Sequence, residues 1–204
     1  MLIKVCGMNI AEQVEALDVK VDYLGFIFYE GSARYCERAP ATSKVKRVGV
    51  FVNESLETVQ EKISEFQLDC VQLHGSESVA YCQELSEKVG VIKAFGISDD
   101  FDFDELQGYE DHIKYFLFDT KTSKHGGSGR QFNWEILQNY EGETTFFLSG
   151  GIGPDDLENI SSISHKRFIG IDLNSRFENK PGDKNIEKLN DFIDEIKARH
   201  ISAT

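Results

Sequence analysis

The chain has 204 residues, with 22 basic side chains against 35 acidic ones and a net charge of -13. That length suits one domain, residues 1–204, around one sizeable core. So acidic a surface repels nucleic acid and anionic lipid, which leaves as expected partner a small anion whose site gathers its own positive charge from a few Lys, Arg and helix N-termini. The cysteines at 6, 36, 70 and 82 form no C-x-x-C pair and have no histidine at metal-ligand spacing. Neither a disulfide framework nor a metal site is expected, and reduced thiols suit a cytoplasmic protein. No signal peptide is read at the start and no apolar stretch approaches the ~20 residues of a membrane span.

Short apolar runs recur along the chain: LIKV, YLGFIF, RVGVFV, CVQLH, VIKAFG, KYFLF, TTFFLS and RFIGID. Between them lie stretches of helical spacing. Leu56, Val59, Ile63 and Phe66 form one apolar stripe, Val79, Cys82 and Leu85 another, and Ile186, Leu189, Phe192, Ile193 and Ile196 a third. Asn9 with Glu12 reads as a capping-box start, and Pro154 after Gly153 as the first turn of a helix. Apolar runs that do not alternate cleanly are strands covered on both faces, and strands alternating with helices call for parallel crossovers. Eight such units predict an α/β fold, a small (β/α)8 TIM barrel of the phosphate-binding type. An open doubly wound sheet is the competing architecture. The chain is short for a barrel, so some helices, notably around 101–108, must be short or irregular.

Polar chemistry falls at the ends of these runs: Cys6 after the first, Asn53 after the third, His74 at the fourth. Asp119 follows the sixth, Ser149-Gly150-Gly151 the seventh, and Asp172 with Asn174 and Ser175 the eighth. In a parallel barrel all of these lie on the C-terminal rim, where barrel enzymes carry their active sites. "LSGGIGPDDL" and "IDLNSRFE" offer backbone amides to a phosphate at Gly150, Gly151, Asn174 and Ser175. Lys4 and Cys6, two apart on a strand, share a face, so the ammonium is expected to favour the thiolate, which can act as a base. If partly withdrawn from water, Asp119 closing "KYFLFDT" would hold its proton and could act as a general acid; capping of the next loop is the bland alternative. Arg34 in "EGSARY" is either a solvated arginine or one that reaches over the rim to bind a carboxylate two-pronged. His74 either lines the rim or satisfies hydrogen bonds beneath it. His112, His125, His165 and His200 follow no pattern. The Gly-rich segment 121–132 is either a lid or a floppy loop.

The ordered set KVCGM, LGFIF, SARY, VGVFVN, VQLHG, FDT, FNW, LSGGI, DLNSRFE and PGDKN resembles the phosphoribosylanthranilate isomerase family of tryptophan biosynthesis over nearly the whole chain. The resemblance implies a cofactor-free barrel performing an Amadori rearrangement. It would convert N-(5-phosphoribosyl)anthranilate to 1-(2-carboxyphenylamino)-1-deoxyribulose 5-phosphate. It places the base on Cys6, the acid on Asp119, a carboxylate ligand on Arg34 and phosphate loops on Gly150, Gly151, Asn174 and Ser175. Lys4, His74 and Asp172 complete the expected substrate site, and a monomer or homodimer is expected. Departures from the family pattern stand at Ala33, Asn133 and Arg176, the last expected either to add a cation to the phosphate site or to turn outward onto Glu178. The rival readings are another ribosyl-phosphate isomerase and a non-catalytic phosphate-ligand barrel.

Overall fold

The structure is a computed structural model that describes residues 1–42, 44–121 and 131–201. The eight apolar runs become parallel strands: β1 (Leu2–Val5), β2 (Tyr23–Ile27), β3 (Lys46–Phe51), β4 (Cys70–Leu73), β5 (Gly90–Ile97), β6 (Tyr115–Thr120), β7 (Phe146–Leu148) and β8 (Phe168–Leu173). They close in sequence order, with β1 paired to both β2 and β8, so the sheet has no edge and the open doubly wound alternative is excluded. A two-stranded antiparallel hairpin, β9 (Glu178–Lys180) with β10 (Asp183–Lys184), follows β8.

The helices are α1 (Ala11–Leu17), α2 (Leu56–Phe66), α3 (Val79–Ser86), α4 (Leu157–Ser161) and α5 (Ile186–Ile201). Ser55 and Ser78 cap α2 and α3 by accepting from the Thr58 and Tyr81 amides, as short side-chain oxygens do at helix starts. The three apolar stripes face inward as their spacing demands, with Val59, Phe66, Cys82, Leu85, Leu189, Phe192, Ile193 and Ile196 all buried. Pro154 opens a 3-10 turn, Pro154–Asp156, that runs into α4. The capping box expected at Asn9 and Glu12 does not form. Ile10 occupies the N-cap of α1 with no side-chain cap bond, since the loop from β1 carries the chain one residue further before it turns helical.

Strand–helix alternation is incomplete in two places. Among the described residues no helix joins β2 to β3, and the crossovers flanking β6 are 3-10 turns at Phe103–Leu106, Glu110–His112 and Trp134–Asn139. Large rings cover the barrel wall there instead. Phe103 meets Phe118 edge-on at 5.8 Å, and Tyr140 meets Phe118 at 5.5 Å and Phe146 at 5.7 Å. Aromatic side chains carry enough area to replace a missing helix face, which is how so short a chain still encloses a barrel.

The barrel interior is layered. Tyr23, Val48, Cys70, Ile92, Ala94, Leu117 and Phe147 pack an apolar floor, while the inward positions nearer the C-terminal ends carry Lys4, Gln72, Asp119 and Asp172. Two further polar residues brace the rim. The Lys93 ammonium is buried and donates to the carbonyls of Leu73 (3.2 Å) and Gly75 (2.7 Å) and to Glu77 (2.9 Å). Glu77 in turn accepts from the Asn53 and Gly75 amides at 2.8 and 3.0 Å. This staple ties the loops after β3 and β4 together on either side of His74. Burial alone would raise the Glu77 carboxyl, but the Lys93 charge and these amides outweigh it and hold it below its ordinary value.

Replacing Glu77 with Gln leaves Lys93 buried without its anion and should cost about 3–5 kcal/mol, read from urea unfolding at neutral pH. Because the folded carboxyl sits below the unfolded one, its contribution is complete above the ordinary carboxylate range and is lost as pH falls through the folded value. The variant's stability should therefore decline less steeply with acid than that of the parent.

Candidate active site

The first and last strands meet in register with Lys4 opposite Asp172. Lys4 Nζ donates to Asp172 Oδ2 at 2.9 Å, with the two side chains 0% and 5% exposed. Burial alone would lower the Lys4 pKa, but Asp172 and Cys6 outweigh it and the ammonium is held above its ordinary value. Cys6 follows two residues on, at 4% exposure, and lies within reach of the Lys4 ammonium.

Here one sequence expectation is corrected. Lys4, together with Lys184, does pull the Cys6 thiol toward ionisation, yet burial pushes harder and Asp172 adds to it, so the net shift is upward. The balance favours the thiol over the expected thiolate.

Asp119, on β6, faces the same space. Its Oδ1 accepts from the Thr120 amide at 2.8 Å and its Oδ2 lies 3.3 Å from His74 Nε2. Asp172 feels Lys4 as an attracting charge, and further off Asp119 as a repelling and His74 as an attracting one. Lys4, Cys6 and Asp172 form one set of close neighbours and Asp119 with His74 another, near enough for their charges to act on one another across the barrel mouth; His74 reaches Asp119 with one ring nitrogen and Gln72 with the other.

Two glycines make this crowding possible. A Cβ on Gly25, in the neighbouring strand, would stand 2.8 Å from Cys6 Sγ and 3.2 Å from Lys4 Nζ. Gly150, after β7, has φ +92° and a Cβ there would meet Asp119 Oδ1 at 2.7 Å and the Thr120 amide at 2.5 Å, so the expected phosphate loop lies directly against the carboxyl group. Gly151 follows with φ 69°, and its carbonyl accepts from Gln131 Nε2 at 3.2 Å. Residues 122–130 of the expected lid lie outside the described residues.

A second cluster sits beside Cys6. Arg34 donates through Nε and Nη2 to Glu178, at 3.0 and 2.7 Å. The arginine is thus neither simply solvated nor free: that fork is engaged by a side chain of the protein, and its end-on Nη1/Nη2 edge is what it can offer a ligand. Lys184, from the hairpin, donates to Glu178 Oε1 at 2.6 Å and to Asn174 Oδ1 at 2.7 Å. Burial lowers Lys184 more than its partners raise it; for Glu178 the balance runs the other way, with Arg34 and Lys184 outweighing burial and holding the carboxyl down. Ser175 starts the 3-10 turn Ser175–Phe177. Arg176 does not pair with Glu178, which is fully engaged. Its Nη2 lies 3.9 Å from Asp155, and its Nε stands beside Gly153, between the loops after β7 and β8.

Lys184, Gln72 and the Lys93–Glu77 staple drew no attention in the sequence. Gln72 and Lys93 carried a readable signal, a polar residue inside an apolar strand; Lys184, in a polar stretch, looked merely solvated. Among the described residues no His, Cys, Asp and Glu group could hold a metal ion, and no helix is long and apolar enough to cross a membrane.

A closed barrel with a thiol, a carboxyl and glycine-rich loops gathered at its C-terminal mouth defines a (β/α)8 barrel enzyme with its site at the usual rim. Residues 3–195 match the family model described as N-(5'-phosphoribosyl)anthranilate (PRA) isomerase. An N-(5'-phosphoribosyl)anthranilate isomerase of Parabacteroides distasonis is 47% identical over 206 residues, covering 96% of this chain and 93% of the relative. The crystal structure of the Thermotoga maritima enzyme superposes with a TM-score of 0.84 at 34% identity, covering 97% of this chain and all of that one. Another structure of a phosphoribosyl anthranilate isomerase, in complex with reduced 1-(o-carboxyphenylamino)-1-deoxyribulose 5-phosphate, matches at 31% identity and a TM-score of 0.80, with coverage of 97% and 100%. The chain belongs to the N-(5'-phosphoribosyl)anthranilate isomerase family and is an isomerase of tryptophan biosynthesis.

Substituting Gly25 with Ala should force Cys6 and Lys4 aside. Overpacking of this kind costs about 1–3 kcal/mol, measurable by urea unfolding, and turnover should fall by more than the stability loss explains.

Proposed function

We propose that the isomerisation runs by general acid–base catalysis between Asp119 and Cys6. The observation that carries this reading is that both groups stand at the C-terminal mouth of the barrel. The thiol just after β1 and the carboxyl on β6 are linked through the charges of Lys4 and Asp172, so a substrate spanning the mouth reaches both.

In this reading Asp119 protonates the ribose ring oxygen of N-(5-phosphoribosyl)anthranilate, and the furanose opens to an iminium ion. The C2 proton becomes acidic beside that positive charge. Cys6 removes it, and the resulting enolamine tautomerises to the ketone of 1-(2-carboxyphenylamino)-1-deoxyribulose 5-phosphate. The raised Cys6 pKa gives the step its character. A buried thiol yields few thiolates but strongly basic ones, and the iminium charge adds to Lys4 and Lys184 in favouring the anion when it is needed.

The free edge of Arg34 holds the anthranilate carboxylate. Amides of Gly150, Gly151, Asn174 and Ser175 hold the phosphate, so that the two anchored ends fix the C2 hydrogen against sulfur. Arg176, poised between the two phosphate loops, adds a cation there. The reading requires no cofactor and no nucleic-acid partner. It places a monomer or homodimer in the cytoplasm, and the acidic surface supports a small-molecule partner over a polyanion.

Loss of anthranilate fluorescence, with the substrate generated in situ, provides the assay. Cys6→Ser and Asp119→Asn should each lower kcat by ~100- to 10,000-fold while circular dichroism stays unchanged; near-parental turnover in either overturns that residue's role. Arg176→Gly should raise KM and leave kcat close to the parent.

Alkylation of Cys6 by iodoacetamide, followed by peptide mass mapping, should be slow at pH 7. It should keep accelerating above the ordinary thiol pKa of ~8.5, because the folded thiol sits higher; a plateau at neutral pH would contradict the resting thiol.

A further inference from the structure

Gln72 is 1% exposed in the middle of β4, flanked in register by Val50 and Ile92. Burying an amide among apolar strands is costly unless it makes hydrogen bonds. Its Nε2 lies 3.0 Å from His74 Nδ1, and its Oε1 is buried with no partner. Residues 72 and 74 are two apart along one strand direction, so both side chains point to the barrel interior. From the far side of the imidazole, Nε2 lies 3.3 Å from Asp119 Oδ2. The three side chains form a line that starts beneath the rim and ends on the carboxyl group.

We propose that Gln72 is a positioning residue for the acid step: its amide NH2 holds His74 as the Nε2–H tautomer, so that His74 orients Asp119 without taking its proton.

The chemistry runs as follows. An amide NH2 only donates, so a ring nitrogen it faces must be bare, and the single proton of a neutral imidazole then lies on Nε2, the nitrogen 3.3 Å from Asp119 Oδ2. Turning the amide over would leave both buried N–H donors unpaired, against one N–H and the oxygen as it stands. The tautomer matters because Asp119 must deliver a proton to substrate. A protonated carboxyl still has lone pairs to accept the His74 N–H, so that contact persists whether or not Asp119 carries its proton. In the other tautomer a bare Nε2 would draw the carboxyl proton toward itself and away from the sugar.

The charged groups facing this line are Asp172, with Lys4 behind it, and the Lys93–Glu77 staple that grips the backbone on both sides of His74. None of these contacts involves Gln72, so they are common to the parent and the variants below.

The inference rests on Asp119 being the acid, and the tests separate the two claims. Long-range 1H–15N correlation spectra of the parent should show His74 with a bare Nδ1 and a protonated Nε2; a protonated Nδ1 in the parent overturns the proposal without any variant. Gln72→Met removes the donor at similar volume and should give mixed tautomers, and Gln72→Glu, which as a carboxylate only accepts, should move the proton to Nδ1 at a pH where it is ionised. In both, kcat should fall roughly 10-fold or more, a share of the ~100- to 10,000-fold that a positioned acid supplies, with KM within about twofold of the parent.

A Gln72→Met enzyme with parental tautomer, or with parental kcat, overturns the proposal. Should Gln72→Met fail to fold, the parent spectrum and Gln72→Glu decide it. If instead Asp119→Asn keeps its turnover, the acid assignment fails, while the tautomer spectrum still reports on Gln72.

Discussion

The barrel closes across a buried ion pair. Lys4 on the first strand and Asp172 on the last stand opposite one another, and nearly all water has been removed from both. Such a pair is tolerated only when each charge keeps its partner, so the strand register is fixed at the point where the sheet joins itself. The same contact sets the field of the site. Cys6 keeps its proton against the pull of that ammonium because burial opposes ionisation and the Asp172 carboxylate adds to it.

Around this pair the interior changes from apolar to polar over two layers of side chains. The floor of Tyr23, Val48, Ile92, Leu117 and Phe147 keeps water out from below, so each charged group above it acts in a poorly screened environment. Rigidity comes from ion pairs placed just outside Cys6 and Asp119. Lys93 with Glu77 braces the β3 and β4 loops, while Glu178 gathers Arg34 and Lys184 over the β8 side. Preorganisation of this kind is what acid–base chemistry between two fixed groups requires.

The shared side of Cys6, Gln72 and Asp119 also shows how a site can extend below its visible rim. Gln72 was legible only as an oddity, a polar residue in an apolar run. Its meaning depends on two neighbours, one on its own strand and one on β6, which become neighbours only when the sheet curls.

The sequence by itself determined the eight strands, the inward faces of α2, α3 and α5, the 3-10 irregularity after β5 and the presence of Cys6, His74 and Asp119 at strand ends, because side-chain period and strand termination are local properties. It also carried a misleading local signal at Asn9 and Glu12, where the helix starts one residue later, with Ile10 at the N-cap. What only the tertiary structure decided was partnership and burial. Lys4 meets Asp172 across 168 positions and Arg34 meets Glu178 across 144, distances over which no spacing rule operates. Whether a thiol keeps its proton depends on how much water surrounds it and which charges are already paired, and both are fixed only once the cylinder has closed.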